Sequence, residues 1–281
     1  MNGSELTVSP ELPALGFVGW GAESRLVWDT LSDRFPGLEK SAQLYLPGRA
    51  AGPLPAVKPL PTVEALFSVS QVIFIGGDPE ELEPVLPLMR LAVSDRHILV
   101  LIGHNWSMEA LLRQLHERKL VRCLVSPLPG AGSSLIAFHP APYLATEDLE
   151  TFRGLFSHLE LLLEVPSEAQ FRVVLGLAGF APAAFYTIMD AIADGALMMG
   201  LSRPVALKFV ATLLAGAAQN LLKEGAHPAL LREQALEYEL AAAGLMEVES
   251  AGIRGLMMRA VQRSIKEAAP PASSPAAEDA D

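Results

Sequence analysis

Short apolar runs, each closed by glycine or proline and followed by a stretch of helical spacing, recur along the first half of the chain. Leu15–Val18 is the first and predicts a buried strand. Glu23–Phe35 follows with Leu26, Val27, Thr30 and Leu31 on one side, the period of a half-buried helix. Gln43–Leu46 predicts a second strand. The segment PGRAAGPLPAVKPLP then carries five prolines in fifteen residues and must be irregular. SQVIFIGGDP predicts a third strand ending in glycines, with a helix over Glu80–Val93. HILVLIG predicts the next strand, Met108–Lys119 the next helix, and VRCLVSP and SLIAFHP two further strands. Strands alternating with helices at this pace predict a parallel sheet joined by crossover helices.

The pattern changes near residue 166. LLLEVPSEAQ closes the sheet region, and from Phe171 to Ala268 no period-two pattern appears. Leu201-Ser202-Arg203-Pro204 reads as a helix start, with Ser202 as cap and Pro204 in the first turn. Gly225 is a stop, and HPALL starts another helix. The alanines and glycines of AGAAQ and AAAG let helix backbones approach closely. The second half is therefore expected to be all-α, and the proline-rich acidic residues 269–281 disordered.

Composition narrows the partners. Of 281 residues, 51% are hydrophobic and the formal net charge is −11, so nucleic acid and anionic membranes are disfavoured partners. The single cysteine, Cys123, permits no internal disulfide and suits a reducing cytoplasm. The N-terminus has no basic flank or apolar core, so it does not read as a signal peptide. Mean hydropathy is +0.31, high enough to raise a membrane span. Val173–Met189 contains Pro182 and runs into Asp190 and Asp194; Val205–Leu222 is broken by Lys208, Gln219 and Asn220. Neither is a clean span, and helices apolar nearly all round are better explained by burial in an oligomer.

The chemistry concentrates in LGFVGWGAESRLVWDTL. Gly19-Trp20-Gly21-Ala22-Glu23-Ser24 sits between a strand and a helix and matches the first two glycines of the dinucleotide fingerprint. Gly19 permits the tight turn, Gly21 lets backbone approach a pyrophosphate, and Ser24 is small enough for the third position. Glu23 places a carboxylate near that pyrophosphate, and Trp20 is bulky beside it. The expected architecture is an α/β Rossmann-like N-terminal domain over 13–165, after a loose tail at 1–12. An all-α C-terminal dimerisation domain is expected over 166–268. Gly16, Gly19, Trp20, Gly21, Ala22, Gly76 and Gly77 are the expected cofactor contacts, with Arg49 at the end of the second strand. An acid there reads a ribose 2′-hydroxyl, whereas an arginine pairs with a 2′-phosphate. Arg49 with no acid prefers NADP over NAD, and reads equally as a solvated loop charge.

Several stretches resemble one family in order: LGFVGWG, VIFIGGDP, WSMEAL, VRCLVSPLPG, and the long LAGFAPAAFYTIMDAIADGALMMGLSRPVALKFVATLLAGAAQNLLKEGAHPALLREQ. These resemble pyrroline-5-carboxylate reductase over roughly residues 14–266, most specifically in the helical half. GFAPAAF stands for the family's SGSGPAY, and GAAQNLLKEGAHPALLREQ for its GAAKLLLESGEHPAVLRDQ. The resemblance implies a Rossmann domain, a helical domain intertwined with a partner chain, and hydride transfer from NADPH or NADH to the C=N bond of a cyclic imine.

The departures fall on the substrate side. The family's VTSPGGTTIAGL, whose hydroxyls and N–H groups grip the substrate carboxylate, is here Ala235–Leu245 with no glycine pair and no threonines. Glu237 and Glu239 would repel an anionic substrate. The lysine of AVKP becomes Asp78, and MPN becomes Leu124-Val125-Ser126. Asp190 falls where the family has a glutamate near the substrate, so Asp190 and Ser126 are the candidate substrate contacts; Asp190 reads also as a half-buried acid between helices. No catalytic residue is assigned. The six histidines form no metal-ligand spacing; His104 and Asn105 lie at a strand end where α/β sheets bind ligands, or simply cap a loop. The expectation is an NADP-dependent reductase of a small imine, homodimeric or larger. The alternative is a non-catalytic dimer acting as ligand sensor or protein scaffold.

Overall fold

The computed structural model describes residues 12–48, 50, 52–77, 79–103, 108–115, 118–125, 135–236 and 239–267. They divide into two compact units: Met1–Leu175 with Ala268–Asp281, and Gly176–Glu267.

The first unit is built on β1 (Leu15–Val18), α1 (Ala22–Arg34), β2 (Ala42–Tyr45), α2 (Val63–Val69) and β3 (Val72–Ile75). It continues through α3 (Pro79–Leu82), α4 (Leu86–Ala92), β4 (Ile98–Ile102), α5 (Met108–Leu115) and β5 (Leu120–Val125). β6 (Leu135–Pro140), α6 (Thr146–Leu155) and β7 (Leu161–Glu164) complete it. The strands form one seven-stranded sheet in the order β2-β1-β3-β4-β5-β6-β7. Neighbours from β2 to β5 are parallel; β6 runs antiparallel to β5, and β7 parallel to β6. The expected parallel sheet with crossover helices holds from β2 to β5, and β6 departs from it. The connection from β5 to β6 holds too few residues for a crossover helix, so the chain doubles back.

Both faces of the sheet are covered, which is why β1, β3 and β4 are apolar throughout and buried at every position. Phe17, Val72, Phe74 and Val100 point to one face and pack with Val27 and Leu31 of α1 and Phe152 and Leu155 of α6. Val18, Ile73, Ile75 and Leu99 point to the other and pack with α2, α4 and α5 through Leu66, Phe67, Met89 and Leu111. Two helices escape the sequence reading. α2 is a short amphipathic turn whose cap Thr62 accepts from the Ala65 N–H at 3.2 Å, but it directly follows the proline loop. α6 opens on Thr146 without a side-chain cap.

The second unit comprises α7 (Glu168–Met198) from Gly176 onward, α8 (Arg203–Glu224), α9 (Pro228–Ala235), α10 (Glu239–Ser250) and α11 (Ile253–Glu267). Its described residues contain no strand, as expected. Gly176 lets α11 come close: a Cβ there would lie 2.7 Å from the Ile265 Cα, and Ser264 Oγ donates to the Gly176 carbonyl at 2.9 Å. Gly225 closes α8 in the left-handed conformation at φ 59°. α7 and α8 are long and apolar enough to cross a membrane by length and composition, and only 11% of each apolar window is buried within the chain. Phe185, Tyr186, Phe209 and Leu213 stand out into solvent.

Candidate functional site

The parallel strands β2, β1, β3 and β4 end at one edge of the sheet, and their glycines gather there. The chain leaves β1 through Gly19 at φ 82°, a left-handed conformation costly for any other residue. A Cβ on Gly19 would stand 1.7 Å from the Gly76 carbonyl oxygen, so the turns after β1 and β3 lie against each other. Gly19 N–H donates to the Tyr45 carbonyl at 2.9 Å, and Gly76 N–H to the Val18 carbonyl at 2.9 Å. This is the point where strand order reverses, the place at which open α/β sheets bind ligands. Gly21 caps α1 with extended backbone and has no side chain to offer the helix start, whose positive end suits an outside anion. A Cβ on Gly21 would meet nothing but Glu23 Oε2, at 3.6 Å.

The remaining expected contacts sort clearly. Trp20 does not crowd the crevice: its ring turns inward, packs edge-on against Phe17 and Trp28, and donates from Nε1 to the Pro53 carbonyl at 2.9 Å. Only its backbone remains for a ligand. Ser24 is buried beneath the turn, its Oγ 2.5 Å from where a Gly76 Cβ would stand, which explains the small third residue. Gly16 is displaced from its expected role: it lies inside β1, and its bare Cα makes room for Ser70 and Leu66 of the α2 segment. Gly77, at φ 130°, lies beside Gly19, and Ala22 is exposed at the start of α1. Arg49, Ser126, Asp78, His104 and Asn105 fall outside the described residues.

Two carboxylates flank the glycine turn. Glu23, half-buried in the first turn of α1, reaches over the gap between Gly21 and Gly103. Glu81 of α3 reaches the other way: a Cβ on Gly48, just past β2, would lie 2.6 Å from its Oε1, and one on Gly77 3.7 Å from its Oε2. Sequence reasoning missed Glu81 because it sits far along the chain from the second strand. A groove of about 640 Å³ opens beside the turn, lined by Trp20, Ala22, Arg25, Asp29, Pro53 and Leu54.

Deeper in the same unit, Arg122 of β5 is fully buried, ion-paired with Glu168 and lying 4.8 Å over the Phe171 ring. Burial, aided by the charge of Arg172, pulls its guanidinium down to about 10. Burial pushes the Cys123 thiol up, so it is an inert core residue. In the helical unit, Asp190 is held by Arg203 Nη2 at 2.6 Å, and Asp194 pairs with Nη1 of the same guanidinium. All three are about half exposed. The described residues hold no cluster of three or more metal-ligating side chains.

Residues 168–270 match the family model for pyrroline-5-carboxylate reductase dimerisation. The pyrroline-5-carboxylate reductase of Methanosarcina acetivorans is 27% identical over 197 residues, covering 69% of this chain and 73% of that one. Human pyrroline-5-carboxylate reductase 2 is 28% identical over 224 residues, covering 73% and 70%. The crystal structure of the Plasmodium falciparum pyrroline carboxylate reductase with NADP bound superposes with a TM-score of 0.75 at 18% identity, covering 91% of this chain and 97% of that one. Sequence and fold agree: the chain is similar to pyrroline-5-carboxylate reductases over most of its length, and its helical half matches the model of their dimerisation domain.

Proposed function

We propose that the chain is an NAD(P)-dependent reductase that transfers hydride to the C=N bond of a small cyclic imine. The observation that carries the reading is the glycine crevice, where Gly19, Gly76 and Gly77 bring two turns into contact and Gly21 presents an uncapped helix start. The residues present suit a dinucleotide: a Cβ on Gly21 would intrude on the space where a diphosphate meets backbone N–H groups. The relatives' names, and the NADP in the Plasmodium falciparum protein, support the same reading.

The bound nicotinamide would supply the hydride. The chain's own part is positioning and electrostatics. The N–H groups opening α1 would hold the diphosphate, and the sheet edge would fix the nicotinamide end near Gly103. Glu23 is the one misfit, since its carboxylate shares that gap with an anion. Substrate contacts at Asp190 and Ser126 remain part of the proposal, with Asp190 reached through its Arg203 pair. The helical unit is proposed to pair with a second copy, and the protein to work in the cytoplasm.

The test is turnover. Purified protein with NADPH or NADH should oxidise the coenzyme on addition of pyrroline-5-carboxylate or a panel of carboxylate-free cyclic imines. Binding without turnover of any of them would favour the second reading, a non-catalytic dimer that senses a ligand or supports a partner. The commitment of Asp190 to Arg203 is the observation in its favour.

A further inference from the structure

The end of the second strand decides how a Rossmann crevice reads the adenosine ribose: an acid accepts from the diol, and a cation pairs with a 2′-phosphate. Between β2 and Glu64 the sequence holds no acid, and its cations are Arg49 and Lys58. The structure brings an acid there from another loop. Glu81 leaves the first turns after β3 and lays its carboxylate against Gly48, so close that a Cβ there would stand 2.6 Å from both its Cδ and Oε1. Its second oxygen faces Gly77, whose Cα neighbour across the gap is Gly19. The carboxylate therefore bridges the loops after β2 and β3, above the turn after β1. Its side chain is half-buried. A side chain at Gly48 would displace it, whereas Gly77 is held to glycine by its own φ of 130°.

We propose that Glu81 is the specificity-determining acid of the crevice, accepting hydrogen bonds from an unphosphorylated ribose and opposing a 2′-phosphate. This rests on the dinucleotide reading above. An ionised carboxylate accepts well from two hydroxyls and repels a phosphate dianion at the same spot.

The experiment is equilibrium binding of NADH and of NADPH, followed by tryptophan emission and by calorimetry, to the full chain and to Glu81→Gln, Glu81→Lys and Glu80→Gln. The wild type should bind NADH about tenfold more tightly than NADPH, the scale of one charge-assisted hydrogen bond. Glu81→Gln should narrow the ratio, Glu81→Lys should invert it, and Glu80→Gln should leave it unchanged. The ratio is internal to each variant, so partial loss of folded protein does not move it. Tighter or equal binding of NADPH by the wild type, or an unchanged ratio in Glu81→Gln, overturns the assignment while leaving the reductase reading intact. Binding of neither nucleotide overturns both.

Discussion

Single residues decide whether the crevice exists. Gly19 is fixed twice, by its positive φ and by the Gly76 oxygen 1.7 Å from any Cβ. Gly19→Ala should cost on the order of 3 kcal/mol, read as a lowered urea midpoint, because strain and overlap add. Glu23→Gln should act differently. Removing its charge from the gap between Gly21 and Gly103 should tighten NADH and NADPH alike by about threefold, as screened like-charge repulsion is relieved. A gain confined to one nucleotide would contradict that placement. Gly19 and Gly21 were legible because the strand, turn and helix around them are contiguous. Glu81 was not, since the crevice assembles from loops about thirty residues apart. The inward turn of Trp20 was equally hidden: its partners Phe17, Trp28 and Pro53 become neighbours only in the fold.

At the scale of elements, β1, β3 and β4 were readable because each is an unbroken apolar run buried on both faces. Direction was not: β6 is as apolar as its neighbours, and only its pairing with β5 reveals the reversal. Two contacts fasten these elements and can be measured. Arg122 ties β5 to the start of α7 through Glu168 and Phe171. Glu168→Gln should cost about 3 kcal/mol in chemical denaturation, because it leaves a buried guanidinium with a weaker partner. At the start of β4, His97 is buried with Nδ1 accepting from the Ser94 N–H at 2.8 Å and Nε2 2.9 Å from the Phe67 carbonyl. Burial, with the charge of Arg96, holds it below its usual 6.5. A pKa lowered on folding contributes stability that is complete above 6.5 and is lost as pH falls through the folded value. His158 shifts in the same direction, mainly by burial, and adds with the same sign. The melting midpoint should therefore fall between about pH 7.5 and about pH 5.5, and fall less in His97→Asn.

At the scale of the whole molecule, the two units set different demands. The sheet unit buries its own core on both faces, whereas α7 and α8 leave most of their apolar surface uncovered. Helices without a polar face already pointed to this in the sequence, since only a second chain or a membrane could cover them. Phe209→Asp and Leu213→Asp should lower the mass seen by sedimentation to that of one chain without altering nucleotide binding. A wild-type protein that sediments as a monomer would contradict the proposed pairing. The substrate side was the least legible part. Where the resemblance places a glycine-threonine clamp, the sequence runs through Ala235–Leu245 into α10, a helix that carries no motif of its own.

The proposed function places a reduced nicotinamide dinucleotide in the glycine crevice at the end of β1. A crystal of the full chain grown with NADH tests it most directly. The diphosphate should lie against the backbone of Gly21, Ala22 and Glu23, with the Glu23 side chain swung out of the gap. A crevice filled by Glu23 and free of nucleotide at saturating coenzyme would contradict it.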